Sequence, residues 1–207
     1  MTEINKDPCT GSSGYFVAPK LPVKPVNGFS GIDDKDYLAS LDGFESDVAV
    51  TFQGKTDAVV VLQKVQVRVS ERKKPNGVAV STNGGCGGVT PRNFSIDLDR
   101  PNPRASAVPG DDLGMPVPAV DFPFRISKSE PEVLHFFGTT RECDCSWRIE
   151  ISWTGEGKSG TEIIDNHGRP FRTVGIKHLP LYQSVSSQED SSTFEWADAG
   201  FRNPDYP

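Results

Sequence analysis

Cys143-Asp144-Cys145-Ser146-Trp147-Arg148-Ile149-Glu150-Ile151-Ser152-Trp153 decides the fold. Cysteine, tryptophan and isoleucine hold the odd positions, and aspartate, serine, arginine and glutamate hold the even ones. Successive Cβ atoms leave a pleated chain on opposite sides. A period of two therefore marks a strand with one face on a core and the other in water. A helix would scatter the same side chains around its circumference.

The same signal recurs outward from this stretch. Phe94, Ile96 and Leu98 alternate with Ser95, Asp97 and Asp99, and Val133, His135 and Phe137 alternate with Leu134 and Phe136 in a more fully buried strand. Over 56–70, Val59, Val61, Val65, Val67 and Val69 share one parity, while the other runs from apolar Ala58, Val60 and Leu62 to polar Lys64, Gln66 and Arg68. That reads as a strand buried on both faces in its first half and on one face in its second. Turns separate the runs: Pro75-Asn76-Gly77 as a hairpin marker, Gly155-Glu156-Gly157-Lys158 and Asn166-His167-Gly168. Residues 101–123, with six prolines, read as a long crossing loop. Residues 32–43 carry one short helical pattern, with Asp33 or Asp34 as cap, Tyr37, Leu38 and Leu41 as its face and Gly43 after its end. The expectation is an all-β protein: an antiparallel β-sandwich, immunoglobulin-like, of about seven or eight strands, with extended termini and Trp147 inward on a central strand. A closed barrel is the alternative.

Charge divides the chain in the same way. Residues 1–46 carry four Lys or Arg against seven Asp or Glu, residues 47–180 carry 17 against 16, and residues 181–207 carry one against five. The expected organisation is a flexible leader over 1–46, a sandwich over 47–180 and an acidic aromatic tail over 181–207. A near-neutral middle without a basic stripe speaks against nucleic-acid binding. The start, Met1 to Pro8, lacks the apolar run of a signal peptide, and no stretch approaches the roughly 20 apolar residues of a spanning helix. This predicts a cytoplasmic protein with no membrane span, whose cysteines are thiols or metal ligands.

The cysteines are the sharpest chemical feature. Cys143 and Cys145 point to one face, and Cys86 lies in Gly84-Gly85-Cys86-Gly87-Gly88. Three readings stay open: buried thiols beside Trp147, a bridge from Cys86 to one of the pair, or a zinc site completed by His135 or His178. Cys9 falls in the leader with no structural role. No nucleophile elbow or phosphate-cradling loop occurs, and Asp97, Asp99, Asp111 and Asp112 lack the spacing of a calcium loop. No catalytic residue is assigned.

Binding candidates lie at the ends and at one turn. Pro19, Pro22 and Pro25 recur at the three-residue period of polyproline II and would line one edge, as a docking edge, a spacer or an arm lying on the domain. Phe194, Trp196, Phe201 and Tyr206 stand among acidic residues, to anchor a partner or to fold back onto the chain's own surface. His167, Arg169 and Arg172 crowd a tight turn that reads as a small binding tip or as ordinary turn chemistry.

Arg141-Glu142-Cys143-Asp144-Cys145-Ser146-Trp147-Arg148, then Gly160-Thr161 and Asp165-Asn166-His167-Gly168-Arg169-Pro170-Phe171-Arg172-Thr173, resemble a largely uncharacterised actinobacterial domain family. Val59 to Leu62, Asp97 to Asp99 and Phe122 to Phe124 extend the likeness over roughly 48–176. The resemblance implies a bacterial origin, a single-domain boundary and a shared structural role for Cys86 and Cys145, and no activity. Together these readings predict a non-catalytic module acting through protein–protein contacts, possible service in a larger bacterial or phage assembly included. The alternative is a zinc- or thiol-dependent enzyme using Cys86, Cys143 and Cys145. Nothing in the sequence sets the oligomeric state.

Overall fold

The computed structural model describes residues 2–5, 15–22, 41–81, 92–112, 115–186 and 194–199. The protein is all-β and sandwich-like. Its strands are β1 (Thr2–Asn5), β2 (Tyr15–Ala18), β3 (Leu41–Gly43), β4 (Glu45–Phe52), β5 (Val60–Lys73), β6 (Val78–Ser81), β7 (Asn93–Asp97), β8 (Ala105–Val108) and β9 (Gly110–Asp112), followed by β10 (Met115–Val117), β11 (Phe124–Ile126), β12 (Glu132–Thr139), β13 (Asp144–Gly155), β14 (Lys158–Ile164), β15 (Phe171–Val174), β16 (Leu181–Ser186) and β17 (Phe194–Asp198). One sheet runs β1-β4-β12-β7-β8. The other runs β11-β5-β13-β15-β3-β2-β6-β16-β17, with β14 also on β13, and β9 and β10 form a small hairpin.

Four expectations give way here. The strands number seventeen among the described residues, because short segments with no alternation of their own take their form from neighbours. Most pairs are antiparallel, yet β7–β12, β3–β15 and β6–β16 are parallel. The crossing loop over 101–123 contains β8, β9 and β10. Of the helix expected over 32–43, only Leu41–Gly43 is described, and it is a strand; its backbone is held between Phe16–Val17 and Thr173–Val174.

The ends also differ from a loose leader and tail where they are described. Phe16, Val17 and Ala18 are buried, and β2 bridges β3 to β6. Beyond residue 180, β16 and β17 extend the long sheet. A second, smaller core of Val17, Ala79, Val174 and Leu179 sits under these additions. Pro75-Asn76-Gly77 makes no hairpin: β6 leaves β5 for β2 and β16. Gly77, at φ 125°, is needed because a Cβ there would strike the Ala18 carbonyl.

The main core lies between the sheets. Val48, Val50 and Phe52 of β4, Phe94 and Ile96 of β7, and Leu134 and Phe136 of β12 meet Cys145, Trp147, Ile149 and Ile151 of β13 with Phe171 of β15. The alternation in 143–153 points inward as read. The double-sided burial expected in the first half of 56–70 is not found: Val59 is exposed and Val61 only half-buried, and the mixed pattern of β5 has another cause. Its register against β13 slips beside Gln63 and again beside Ser70, two β-bulges, so the inward parity changes from Leu62 to Val65, Val67 and Val69.

Candidate functional site

Trp147 anchors the first half of β13. Its indole lies over Gly138 of the opposite sheet, where a Cβ would overlap the six-membered ring, with Cε2 at 2.9 Å. The indole N–H donates to Thr173 Oγ1 at 2.9 Å, and that hydroxyl is 2.6 Å from Ser46 Oγ. Ser46 stands on β4 and Thr173 on β15, so these buried hydroxyls join the two sheets. No partner is wanting along this row, as burial of polar groups requires.

At the start of β13 the cysteine expectation is corrected. Cys143 and Cys145 are bonded to each other, with Cα atoms 5.4 Å apart, rather than being thiols, zinc ligands or partners of Cys86. Cys86 lies outside the described residues. Thr140 backs the bridge: its hydroxyl donates to Asp99 at 2.6 Å and lies 3.2 Å from Cys143 Sγ. Asp99 also accepts from the Arg141 and Glu142 backbone N–H groups, which fixes the turn before β13. The Glu142 carboxyl is held below its usual range by a hydrogen bond from Lys177, reinforced by His178. So His178 is engaged at the surface and not on a cysteine.

His135 faces away from the cysteines, on the outer side of the five-stranded sheet. It is buried, with Nδ1 3.2 Å from Asp47 Oδ1, a partner the sequence did not single out because the pairing of β4 with β12 shows only in the sheet. Glu45, on the same face of β4, has its pKa raised by burial and by the Asp47 charge. Among the described residues, no three His, Cys, Asp or Glu side chains gather as a metal site.

The turn after β14 forms as read, with His167 at φ 53° and Gly168 at φ 85°. Asp165 accepts the Gly168 N–H at 2.7 Å, and Arg148 reaches the Gly168 carbonyl at 3.3 Å. His167 and Arg169 are exposed at this tip. Arg172 is not part of it; its Nε donates to Asp144 Oδ1 at 2.7 Å at the disulfide end.

The proline edge and the aromatic tail meet. Trp196 Nε1 donates to the Pro22 carbonyl at 2.8 Å, while Pro19 stays exposed. Backbone pairing places β17, including Phe194, on β16. Pro25, Phe201 and Tyr206 lie outside the described residues. Sequence reasoning treated these ends separately, because only the sheet order brings them together.

No helix among the described residues is long and apolar enough to cross a membrane. Compared with models of protein families and with curated proteins, the chain matches none.

Proposed function

We propose that the protein is a non-catalytic binding or assembly module acting through protein–protein contacts, as a component of a larger bacterial or phage assembly. One observation carries this reading: residues from both ends converge on the last strand of the long sheet, where Trp196 bonds to Pro22 and β17 adds to β16. A last strand such as β17 is a common place for another chain to add, and Trp196 on it supplies aromatic anchoring area. The near-neutral middle of the chain favours protein over nucleic acid as the partner.

The Cys143–Trp147 and Asp165–Thr173 stretches support membership of the actinobacterial family as part of this reading, and the inward Trp147 supports an immunoglobulin-like sandwich. The Cys143–Cys145 bridge supports an oxidising compartment rather than the cytoplasm that the first residues suggest. It also weighs against the thiol-enzyme reading. An incoming thiolate attacking Cys143 would have to expel Cys145 as a thiolate into an apolar site with no exposure.

The test compares the sedimentation of the full chain with that of a chain ending at Ser186 and of Trp196→Ala. Association that is lost in both variants is the expected result. Association untouched by either change overturns the assembly role of this edge.

A further inference from the structure

Two connections pass between the five-stranded sheet and the long one at the same place, and each carries a cysteine. The first leaves β1 at Asn5 and enters β2 at Tyr15; the second leaves β6 at Ser81 and enters β7 at Asn93. On the long sheet their ends are neighbours, because Tyr15 stands directly opposite Ser81 in the β2–β6 pair. On the five-stranded sheet Asn5 pairs with Ala49, Ala49 with His135 and His135 with Asn93, so those ends share one row. Three strand spacings, about 14 Å, separate them. Cys9 is six residues before Tyr15 and Cys86 five residues after Ser81, each near the middle of its connection. Both cysteines lie outside the described residues; the strands that bracket them are described.

We infer that Cys9 and Cys86 form a second disulfide, which ties the two connections together. The Cys143–Cys145 bridge already occupies the other two of the four cysteines. Directly opposite Cα atoms in an antiparallel pair lie about 4.5 or 5.5 Å apart, so both arms start from one point. At no more than about 3.6 Å per residue, neither thiol strays further than about 22 Å from it. Such tethering gives each thiol an effective concentration on the order of millimolar at the other, well above that of a dissolved second chain. Thr10-Gly11-Ser12-Ser13-Gly14 follows Cys9 and two glycines stand on either side of Cys86, so neither arm brings an apolar side chain to shelter a thiol. Glycine also tolerates the backbone angles that bridge geometry demands. Closure is a thiol–disulfide exchange with a protein or small-molecule disulfide as oxidant. One cysteine thiolate attacks that disulfide and expels one thiol. The second cysteine then attacks the mixed disulfide and expels the other. One S–S bond forms in the chain, one breaks in the oxidant, and the two thiol protons pass to its two sulfurs.

Among the described strands β1 pairs with β4 alone, so this bridge anchors the first strand of the chain. The loop it closes runs from residue 9 to residue 86, against three residues for Cys143–Cys145, and it restrains the unfolded chain more. The inference shares with the reading above only its oxidising compartment and is independent of the assembly role. The test is peptide mapping of the full chain, held in a mixture of reduced and oxidised glutathione, alkylated without reduction and digested. The expected result is a fragment with Cys9 linked to one with Cys86, separable by a reductant. Cys9→Ser and Cys86→Ser should each leave the other cysteine free or capped by glutathione. Each should lower the urea midpoint more than serine at both 143 and 145 does, and Cys9→Ser should speed amide exchange in β1 but not in β13. A wild-type chain in which Cys9 and Cys86 are alkylated, capped or linked between two chains overturns the inference. So does a link from Cys86 to Cys143 or Cys145. Two free thiols beside an intact Cys143–Cys145 bridge defeat this inference alone; four free thiols remove the oxidising compartment with it.

Discussion

The two halves of β13 are built from the same alternating pattern and end in opposite conditions. Its first half, Asp144–Trp147, has β5 on one side and β15 on the other, with β3 beyond. The disulfide, the Trp147–Thr173–Ser46 row and the Asp144–Arg172 pair all belong to it. Its second half, Ile149–Gly155, closes as a hairpin with β14 through Glu156 at φ 47° and Gly157 at φ 72°, and among the described strands β14 pairs with β13 alone. Alternation alone thus says which face is buried, and the neighbours decide whether an edge is finished. The first half is specified by directional bonds between remote strands; the second is set by its hairpin partner.

The sharpest way to break this contrast is to remove the two tryptophans in turn. Trp147→Ala should cost about 3–5 kcal/mol, the usual range for a fully buried aromatic, with Thr173 and Ser46 losing their indole partner as well. Trp153, half-buried near the hairpin, should cost clearly less when made alanine; equal losses in urea denaturation would dissolve the distinction. Next comes crowding under the same rings. Gly138→Ala meets an indole that cannot move and should cost about 1–3 kcal/mol. Gly160→Ala meets Trp153, which can tilt toward solvent, so its penalty should be smaller by the same measurement.

Replacing both Cys143 and Cys145 with serine should cost about 1–2 kcal/mol, small for a disulfide because the closed loop holds only three residues. Thiol titration of the unreduced, unfolded wild-type chain checks the premise: Cys143 and Cys145 should stay unmodified by peptide mapping. The smallest effect concerns pH. Burial raises the Glu45 pKa, so the folded chain holds that proton more tightly than the unfolded one. The stabilisation from Glu45 is present below the ordinary carboxylate range and lost as pH rises through its folded pKa. Glu45→Gln should remove that slope and raise neutral-pH stability by less than about 1 kcal/mol, read from denaturation midpoints across pH.

The sequence made the core legible wherever a strand is long enough to show its period. Phe94, Ile96, Leu134, Phe136, Trp147, Ile149 and Ile151 are all buried. The change of parity between Leu62 and Val65 was visible too, but an inserted residue and two-sided burial leave the same trace in a single strand. Strands such as Tyr15–Ala18, Leu41–Gly43 and Phe194–Asp198 are too short to carry a period and owe their form to partners remote in sequence. The cysteine pair was placed on the right face. Their bond was missed because the expected compartment argued against disulfides, although two residues on one side of an extended chain lie within bridging distance. The place of β14 at the side of the sheet had no sequence signal, since strand order exists only once every neighbour has been assigned.

The Trp196–Pro22 bond joins residues 174 positions apart, whereas the β13–β14 hairpin closes over the two residues Glu156 and Gly157. Those distances set a calendar. A hairpin of that kind forms in about 1–10 μs once its residues exist. Synthesis proceeds at about 5–20 residues per second, and β17 is the last of the described strands to be made. For about a second on the ribosome, the strands made earlier wait with the edge of β16 uncovered, until the chain's own tail, tethered beside it, supplies β17.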